Sequence, residues 1–180
     1  MKKATSIFTL FTFLLFSFST ILAQDKNTFI GTKKCGMCHK KDTAGKQLKI
    51  WQDSKHANAF KTLQTAEADE IAKGKAVEDP KCLKCHATGH DLDAKMMGKD
   101  FKIDQGIQCE SCHGAGSSYK KKSTMKDHAK SVAAGMVEYK DKAAIEAQCV
   151  TCHNKKSPTF KDFDFEKRWA EIAHPVPEKK

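Results

Sequence analysis

Four copies of the pattern Cys-x-x-Cys-His constrain this chain more than any other feature of its sequence. They span Cys35–His39, Cys82–His86, Cys109–His113 and Cys149–His153. Two thiols three positions apart on a helical turn can bond both vinyl groups of one porphyrin, and the adjacent histidine then reaches the iron. The pattern predicts four covalent haem c groups with His39, His86, His113 and His153 as proximal iron ligands. It uses all eight cysteines as attachment points, namely Cys35, Cys38, Cys82, Cys85, Cys109, Cys112, Cys149 and Cys152.

Paired cysteines also occur in zinc sites, redox dithiols and disulfide frameworks, and these alternatives stay open at this stage. A zinc site would take two Cys-x-x-Cys pairs and leaves the histidine after each pair without a role. A thioredoxin-like dithiol would accompany a βαβ pattern, which the sequence lacks. A disulfide framework does not predict a histidine after every second cysteine, so haem attachment explains the most observations.

The first 23 residues have the features of a cleaved export signal. Lys2 and Lys3 precede an apolar run from Ile7 to Phe18, and the small residue Ala23 offers a cleavage point before Gln24. A retained anchor is the weaker alternative, because the run is shorter than the ~20 residues needed to cross a bilayer. We expect a periplasmic chain of one domain, residues 24–180, with no integral membrane span after cleavage.

The net charge of +10 falls to +8 once Lys2 and Lys3 are removed with the signal. Four haems would bring about eight propionate charges, so the basic excess fits compensation for cofactors and predicts no nucleic-acid partner. The run Lys120–Lys122 can help to dock an acidic redox partner, although a solvated surface run is the simpler interpretation.

The sequence predicts a mainly α fold with extensive loops, organised as a compact multihaem cytochrome c fold around the four haems. Apolar core residues are sparse, so the porphyrins would supply much of the interior, and we expect the chain without haem not to fold stably. Loops are predicted over Thr88–Asp104 and Gly114–Ser118. Helices are predicted over Trp51–Leu63, Ala66–Lys75, His128–Glu138, Lys142–Gln148 and Phe165–Ala173.

Four further histidines decide how each iron is coordinated. His56 lies in a helical stretch, His174 follows an amphipathic helix, and His128 follows a basic loop. We expect these three to be distal iron ligands, although His128 can also be a solvated side chain. An iron with two strong axial ligands suits electron transfer, whereas an open position can bind a small molecule.

His90 differs because it follows proximal His86 by four residues. If the motif helix continues, His90 is held on the proximal side of the same haem and cannot reach the opposite face, but it can serve another haem or hydrogen-bond a propionate. The haem at His86 is therefore the best candidate for an open position that can take CO or NO. Met96 and Met97 can fill it instead, although apolar packing is the simpler role for them.

The sequence resembles the tetrahaem cytochrome c-554 family, which shares haem motifs with the group around hydroxylamine oxidoreductase. The match rests on the first motif with Trp51-x-x-Ser54-x-His56 and on Cys82–His86 with Thr88-Gly89. It continues with Gly106–Gly116, which contains the block Cys-Glu-Ser-Cys-His-Gly-x-Gly, and ends with the last motif and His174. The resemblance implies a helical protein with stacked haem pairs, in which His56, His128 and His174 are distal ligands and the haem at His86 is five-coordinate.

The resemblance further implies which histidines share a haem. His174 would pair with the haem of His39, His56 with that of His113, and His128 with that of His153. The chain departs from the family in being shorter after the last motif and longer between Gly116 and His128.

Two functions follow from these expectations. The first is electron transfer between redox partner proteins, because closely spaced haems act as one-electron relays. The alternative is a small oxidoreductase for NO, nitrite or hydroxylamine at the haem of His86, with Lys84 and His90 as acid–base candidates.

Overall fold

The computed structural model describes residues 27–174, which fold into short helices joined by turns and loops. The predicted export signal lies outside the described residues. Within them the mainly α prediction is confirmed, since the extended backbone pairing is confined to an isolated parallel bridge between Phe29 and Met97. Residues 27–174 contain ten α-helices: α1 Thr32–His39, α2 Gln47–Asp53, α3 Ala59–Thr62, α4 Ala66–Ala72, α5 Pro80–His86, α6 Glu110–His113, α7 Lys122–Met125, α8 His128–Ala133, α9 Lys142–Cys149 and α10 Phe165–Ile172.

The stretch predicted as one helix from Trp51 to Leu63 is divided in two. Helix α2 ends at Asp53 because Ser54 is extended and its hydroxyl donates to the carbonyl of Trp51 at 2.7 Å. A 3-10 turn over His56–Asn58 then leads into α3. His56 therefore lies in a separate turn and not on α2.

Side-chain caps begin several of the helices. Asp79, Asp127, Asp141 and Asp164 each accept a backbone N–H from the first turn of α5, α8, α9 and α10. The helix predicted over His128–Glu138 is shorter in the structure, because Gly135 has a φ of +101° and turns the chain after Ala134. The helices predicted near residues 66, 142 and 165 are present within three residues of their expected ends.

Few apolar side chains are buried in the described part of the chain. They are Ile30, Leu63, Ala76, Ala87, Phe101, Tyr119 and Phe165. Polar residues Thr32, Thr88, Gln108, Glu110 and Ser131 are buried beside them. The interior of the protein part is thus held by hydrogen bonds as much as by apolar contact. No helix within residues 27–174 is long and apolar enough to cross a membrane.

Candidate haem-attachment sites

Each Cys-x-x-Cys-His motif forms a helical turn that brings two thiols and an imidazole to one side. The motif histidines end α1, α5 and α6, and His153 lies in the turn that follows α9. Backbone N–H groups of His113 and His153 each donate to the first cysteine of their motif at 3.0 Å. All eight cysteines carry free thiols. Two free thiols and a neighbouring imidazole on one turn are the donor set that haem c requires, so the residues fit that group.

Thiols of different motifs approach each other, which shows how the motifs are arranged. Cys35 of the first motif is hydrogen-bonded to Cys109 of the third, and this bond and burial raise the pKa of Cys35. Burial and the neighbouring Cys152 raise the pKa of Cys85 to about 11. The first motif therefore meets the third, and the second meets the fourth.

The third and fourth motifs also lie close together. Burial, followed by the nearby Cys149, raises the pKa of Cys112 to about 11. All four motifs thus belong to one continuous cluster. Apart from such pairs, no group of three or more His, Cys, Asp or Glu side chains within residues 27–174 is arranged to hold a metal ion.

Two pairs of imidazoles face each other across short gaps. The ring centroids of His56 and His153 are 6.0 Å apart, and those of His113 and His174 are 5.8 Å apart. Burial, then the charges of His174 and His39, lowers the pKa of His113 to about 4. Burial also lowers the pKa values of His56 and His153. The imidazoles of His56, His113 and His153 are thereby kept in the neutral form that binds iron.

The imidazole pairs differ from those that the resemblance implies. The structure brings His56 to His153 instead of His113, and His174 to His113 instead of His39. His39 is nevertheless near His113, because its charge contributes to the low pKa of that residue. Which imidazoles share one iron stays a prediction.

His56 is positioned by the segment that precedes the third motif. The backbone N–H of Ile107 donates to the carbonyl of His56 at 3.0 Å, and the indole N–H of Trp51 donates to the carbonyl of Ile107 at 2.7 Å. Gly106, with a φ of +71°, lies so close to the His56 carbonyl that a Cβ would overlap it. The Trp51–His56 and Gly106–Ile107 stretches therefore form one support.

His128 is placed apart from the motif histidines. Its Nε2 atom lies 2.7 Å from the Oε1 atom of Glu138, and 65% of its side chain is exposed. The structure does not bring it to His153, and its role as a distal ligand stays a prediction.

His86 is held differently from the other motif histidines. Its Nδ1 atom is 2.9 Å from the carbonyl oxygen of Ala59 and 3.0 Å from the hydroxyl of Thr62. Among the motif histidines, all of which are described, it alone has a ring nitrogen hydrogen-bonded to the chain. These partners leave Nε2 free for iron and fix the orientation of the ring.

The residues considered for the other face of this haem have contacts of their own within the chain. Helix α5 ends at His86 because Ala87 is extended, so the helical continuation that would hold His90 on the proximal side is absent. The imidazole of His90 is 3.7 Å from the Asp91 carboxylate. Met96 and Met97 belong to the segment whose backbone pairs with Phe29.

Glu110, inside the third motif, is a supporting residue whose role the motif pattern alone does not predict. Its buried carboxylate accepts backbone N–H groups of Ile30 and Gly31 at 2.8 Å and of Gly116 at 2.7 Å. A Cβ at Gly116 would lie 2.8 Å from Ile30 and 3.1 Å from the Glu110 carboxylate. An acidic residue between the two cysteines of a motif that is followed by Gly-x-Gly was the available signal.

Gln108 and Thr88 extend this support to the first and second motifs. The side-chain oxygen of Gln108 accepts the backbone N–H of Thr32 at 3.2 Å, at the start of α1. The hydroxyl of Thr88 accepts the N–H of Gln108 at 2.7 Å and contacts the hydroxyl of Ser111 at 2.5 Å. Buried hydrogen bonds thus connect the segments that carry the first three motifs.

A helical protein whose functional residues are haem-attachment motifs is a c-type cytochrome in class, and comparison with known proteins agrees. The sequence profile described as "Cytochrome c554 and c-prime" matches residues 34–114. Cytochrome c-554 of Nitrosomonas europaea is 31% identical over 140 residues, which cover 69% of this chain and 57% of that relative. No solved structure matches. The chain belongs to the cytochrome c-554 family, and membership implies covalently bound haem c.

Proposed function

We propose that the chain is a periplasmic tetrahaem c-type cytochrome that passes electrons between redox partner proteins. Three haems would have two histidine ligands, supplied by the motif histidines together with His56, His128 and His174, and the haem of His86 would be five-coordinate. The observation that carries this proposal is the convergence of the motifs into one cluster, with Cys35 against Cys109 and Cys85 against Cys152. Close spacing of redox centres is what a one-electron relay requires.

The chain's own residues have three tasks in this proposal. The paired cysteines fix each porphyrin, the neutral imidazoles of His56, His113 and His153 provide iron ligands, and the buried network around Glu110 holds the motifs in register. Haem c, when bound, supplies one-electron chemistry whose potential follows the axial ligands and the burial of the site.

Carbon monoxide titration of the fully reduced protein tests the coordination. We expect one CO for four haems, because the three candidate distal histidines lie beside other residues than His86: His56 by His153, His174 by His113 and His128 by Glu138. Intact mass would count the haems and locate the processed amino terminus. Absence of CO binding, or more than one CO for each chain, would contradict the proposed coordination.

Variants that remove single attachment sites identify the haem that binds CO. A Cys82→Ala/Cys85→Ala variant should keep three haems and lose CO binding. The matched control Cys149→Ala/Cys152→Ala should also keep three haems but retain the CO site. Loss of CO binding in the control alone would assign the open iron to the fourth motif.

The second candidate is an oxidoreductase for NO, nitrite or hydroxylamine at the haem of His86. The contacts of His56, His174 and His128 with residues other than His86 favour it, and Lys84 and His90 remain its acid–base candidates. Turnover of one of these compounds with a reduced donor, abolished together with CO binding in Cys82→Ala/Cys85→Ala, would favour this function. Reversible electron exchange without turnover would favour the carrier.

A further inference from the structure

The outer side of helix α1 carries an exposed basic stripe with a methionine at its centre. Lys33, Met37 and Lys40 are separated by four and three positions, which places them on one helical face. Met37 is 63% exposed, and both lysines are exposed. We call these three residues the α1 stripe.

The α1 stripe faces away from the side that attaches haem. At about 100° per residue, Cys35, Cys38 and His39 lie on one side of the helix, and Met37 lies about 150° away from their centre. Gly36, between these sides, packs against α2, since a Cβ there would lie 2.7 Å from Leu48. The porphyrin bound to this motif would therefore leave Met37 and its flanking lysines uncovered.

The charge of the α1 stripe is not neutralised by the described part of the chain. Lys34, the neighbouring lysine, forms an ion pair with Asp100 at 3.0 Å. Lys33 also acts on the Asp100 carboxylate at longer range and helps to lower its pKa, after the hydrogen bond from Lys34. No ion pair within residues 27–174 involves Lys33 or Lys40.

The other three motifs lack such a face. Nine positions in these motifs correspond to Lys33, Met37 and Lys40, and only Lys84 among them is charged. The nine are Pro80, Lys84, Ala87, Ile107, Ser111, Gly114, Ala147, Thr151 and Asn154. Methionine is enriched at the centre of protein interfaces, and uncompensated charge steers the encounter with an opposite surface.

We propose that the α1 stripe is the docking surface for an acidic redox protein, which exchanges electrons with this chain through the first motif. The inference rests on the proposed electron-transfer function. Charge complementarity selects the partner: Lys33 and Lys40 contact its acidic rim, while Met37 contacts an apolar centre. An anionic membrane or a second copy of the chain are the competing occupants.

Flavodoxin, an acidic one-electron donor protein, is the probe for this surface. One electron would pass from its anionic hydroquinone to a ferric iron, leaving neutral semiquinone and ferrous iron without proton transfer. The Lys33→Glu/Lys40→Glu variant should reduce the second-order rate constant about tenfold at low ionic strength. The difference should shrink as ionic strength rises above about 0.15 M. Met37→Ser should slow the reaction without changing its salt dependence.

The matched control is Lys155→Glu/Lys156→Glu, which changes net charge equally at two exposed lysines beside the fourth motif. It should change the rate less than about twofold. Calorimetry of oxidised flavodoxin with the ferric protein measures the binding affinity without electron transfer. This affinity should fall only in the variants of the α1 stripe. Equal effects of both double variants, or no effect of either, would overturn the proposed surface.

Further outcomes separate the competing occupants and the underlying function. The protein can be tested for binding to phosphatidylglycerol vesicles. If only Lys33→Glu/Lys40→Glu abolishes this binding, and its rate with flavodoxin is unchanged, the α1 stripe is a membrane contact and the inference is overturned. Self-association lost in that variant alone would assign it to a second copy, with the same consequence. Reduction by dithionite but by no protein donor would reject the electron-carrier function, whereas equal rates in all variants would reject only the docking surface.

Discussion

Glu110 shows how a single buried side chain organises residues far apart in the sequence. It joins the segment before α1 to the third motif by accepting three backbone N–H groups, from Ile30, Gly31 and Gly116. Backbone donors that are buried without an acceptor cost about 1–3 kcal/mol each. The spacing between the first and third motifs therefore depends on this carboxylate.

Glu110→Gln should destabilise the haem-loaded protein by about 2 kcal/mol. The amide keeps the size of the side chain, but its NH₂ group faces a backbone donor and leaves it without an acceptor. Denaturant unfolding followed by circular dichroism measures the effect. Glu166→Gln is the control, because Glu166 pairs with Lys142 at the surface, where an ion pair contributes little. Equal midpoints for both variants would show that the Glu110 carboxylate is dispensable.

Thr62 acts on the chemistry of His86 and not only on its position. Thr62→Val removes one of the two oxygen atoms that face Nδ1 of His86, so the imidazole becomes a weaker electron donor to iron. We expect the reduction potential of that haem to rise by about 20–60 mV. For a one-electron couple this corresponds to a change of about two- to tenfold in the equilibrium constant of reduction. A redox titration measures this shift, and the haem of His86 is identified in it as the haem that binds CO.

Thr151→Val is the matched control for Thr62→Val. Thr151 makes the same hydrogen bond to a backbone carbonyl three residues earlier, at 2.7 Å, but no hydrogen bond joins its hydroxyl to an imidazole nitrogen. An unchanged potential in Thr62→Val, or an equal shift in both variants, would exclude a specific effect through His86.

At the scale of the helices, apolar spacing predicted some elements well and others poorly. Helix α10 follows from Phe165 and Trp169 on one face, and Asp164 caps its start. The predicted helix from Trp51 to Leu63 is divided because the Ser54 hydroxyl competes for a backbone carbonyl. Helix α1 was not predicted as an amphipathic helix, since its buried contact uses Gly36 against Leu48.

The same distinction applies to the candidate sites: features set by local sequence spacing were predicted, and features set by long-range contacts were not. Local spacing was sufficient to identify the motif turns, because both thiols and the imidazole belong to one helical turn. The support of His86 by Ala59 and Thr62 requires a contact across 24 residues or more, which no local pattern specifies. The pairing of His56 with His153 was inaccessible for the same reason.

At the scale of the whole molecule, folding should depend on haem attachment. The described chain buries few apolar side chains, and no motif cysteine or histidine within residues 27–174 is fully buried. A chain with so small an apolar core of its own requires a cofactor to offset the entropy of ordering it. An apolar interior among the four motifs is therefore expected to form only with porphyrin present.

A variant with all eight cysteines changed to alanine should not unfold cooperatively. We expect weak helical circular dichroism, no sharp thermal transition and rapid proteolysis, because haem bound only to the native state no longer stabilises it. The haem-loaded protein, examined at the same concentration and pH, is the control and should resist the protease. A sharp transition and protease resistance in the variant would show that α1–α10 form a sufficient core without haem, and that Glu110, Gln108 and their backbone partners hold the motifs together on their own.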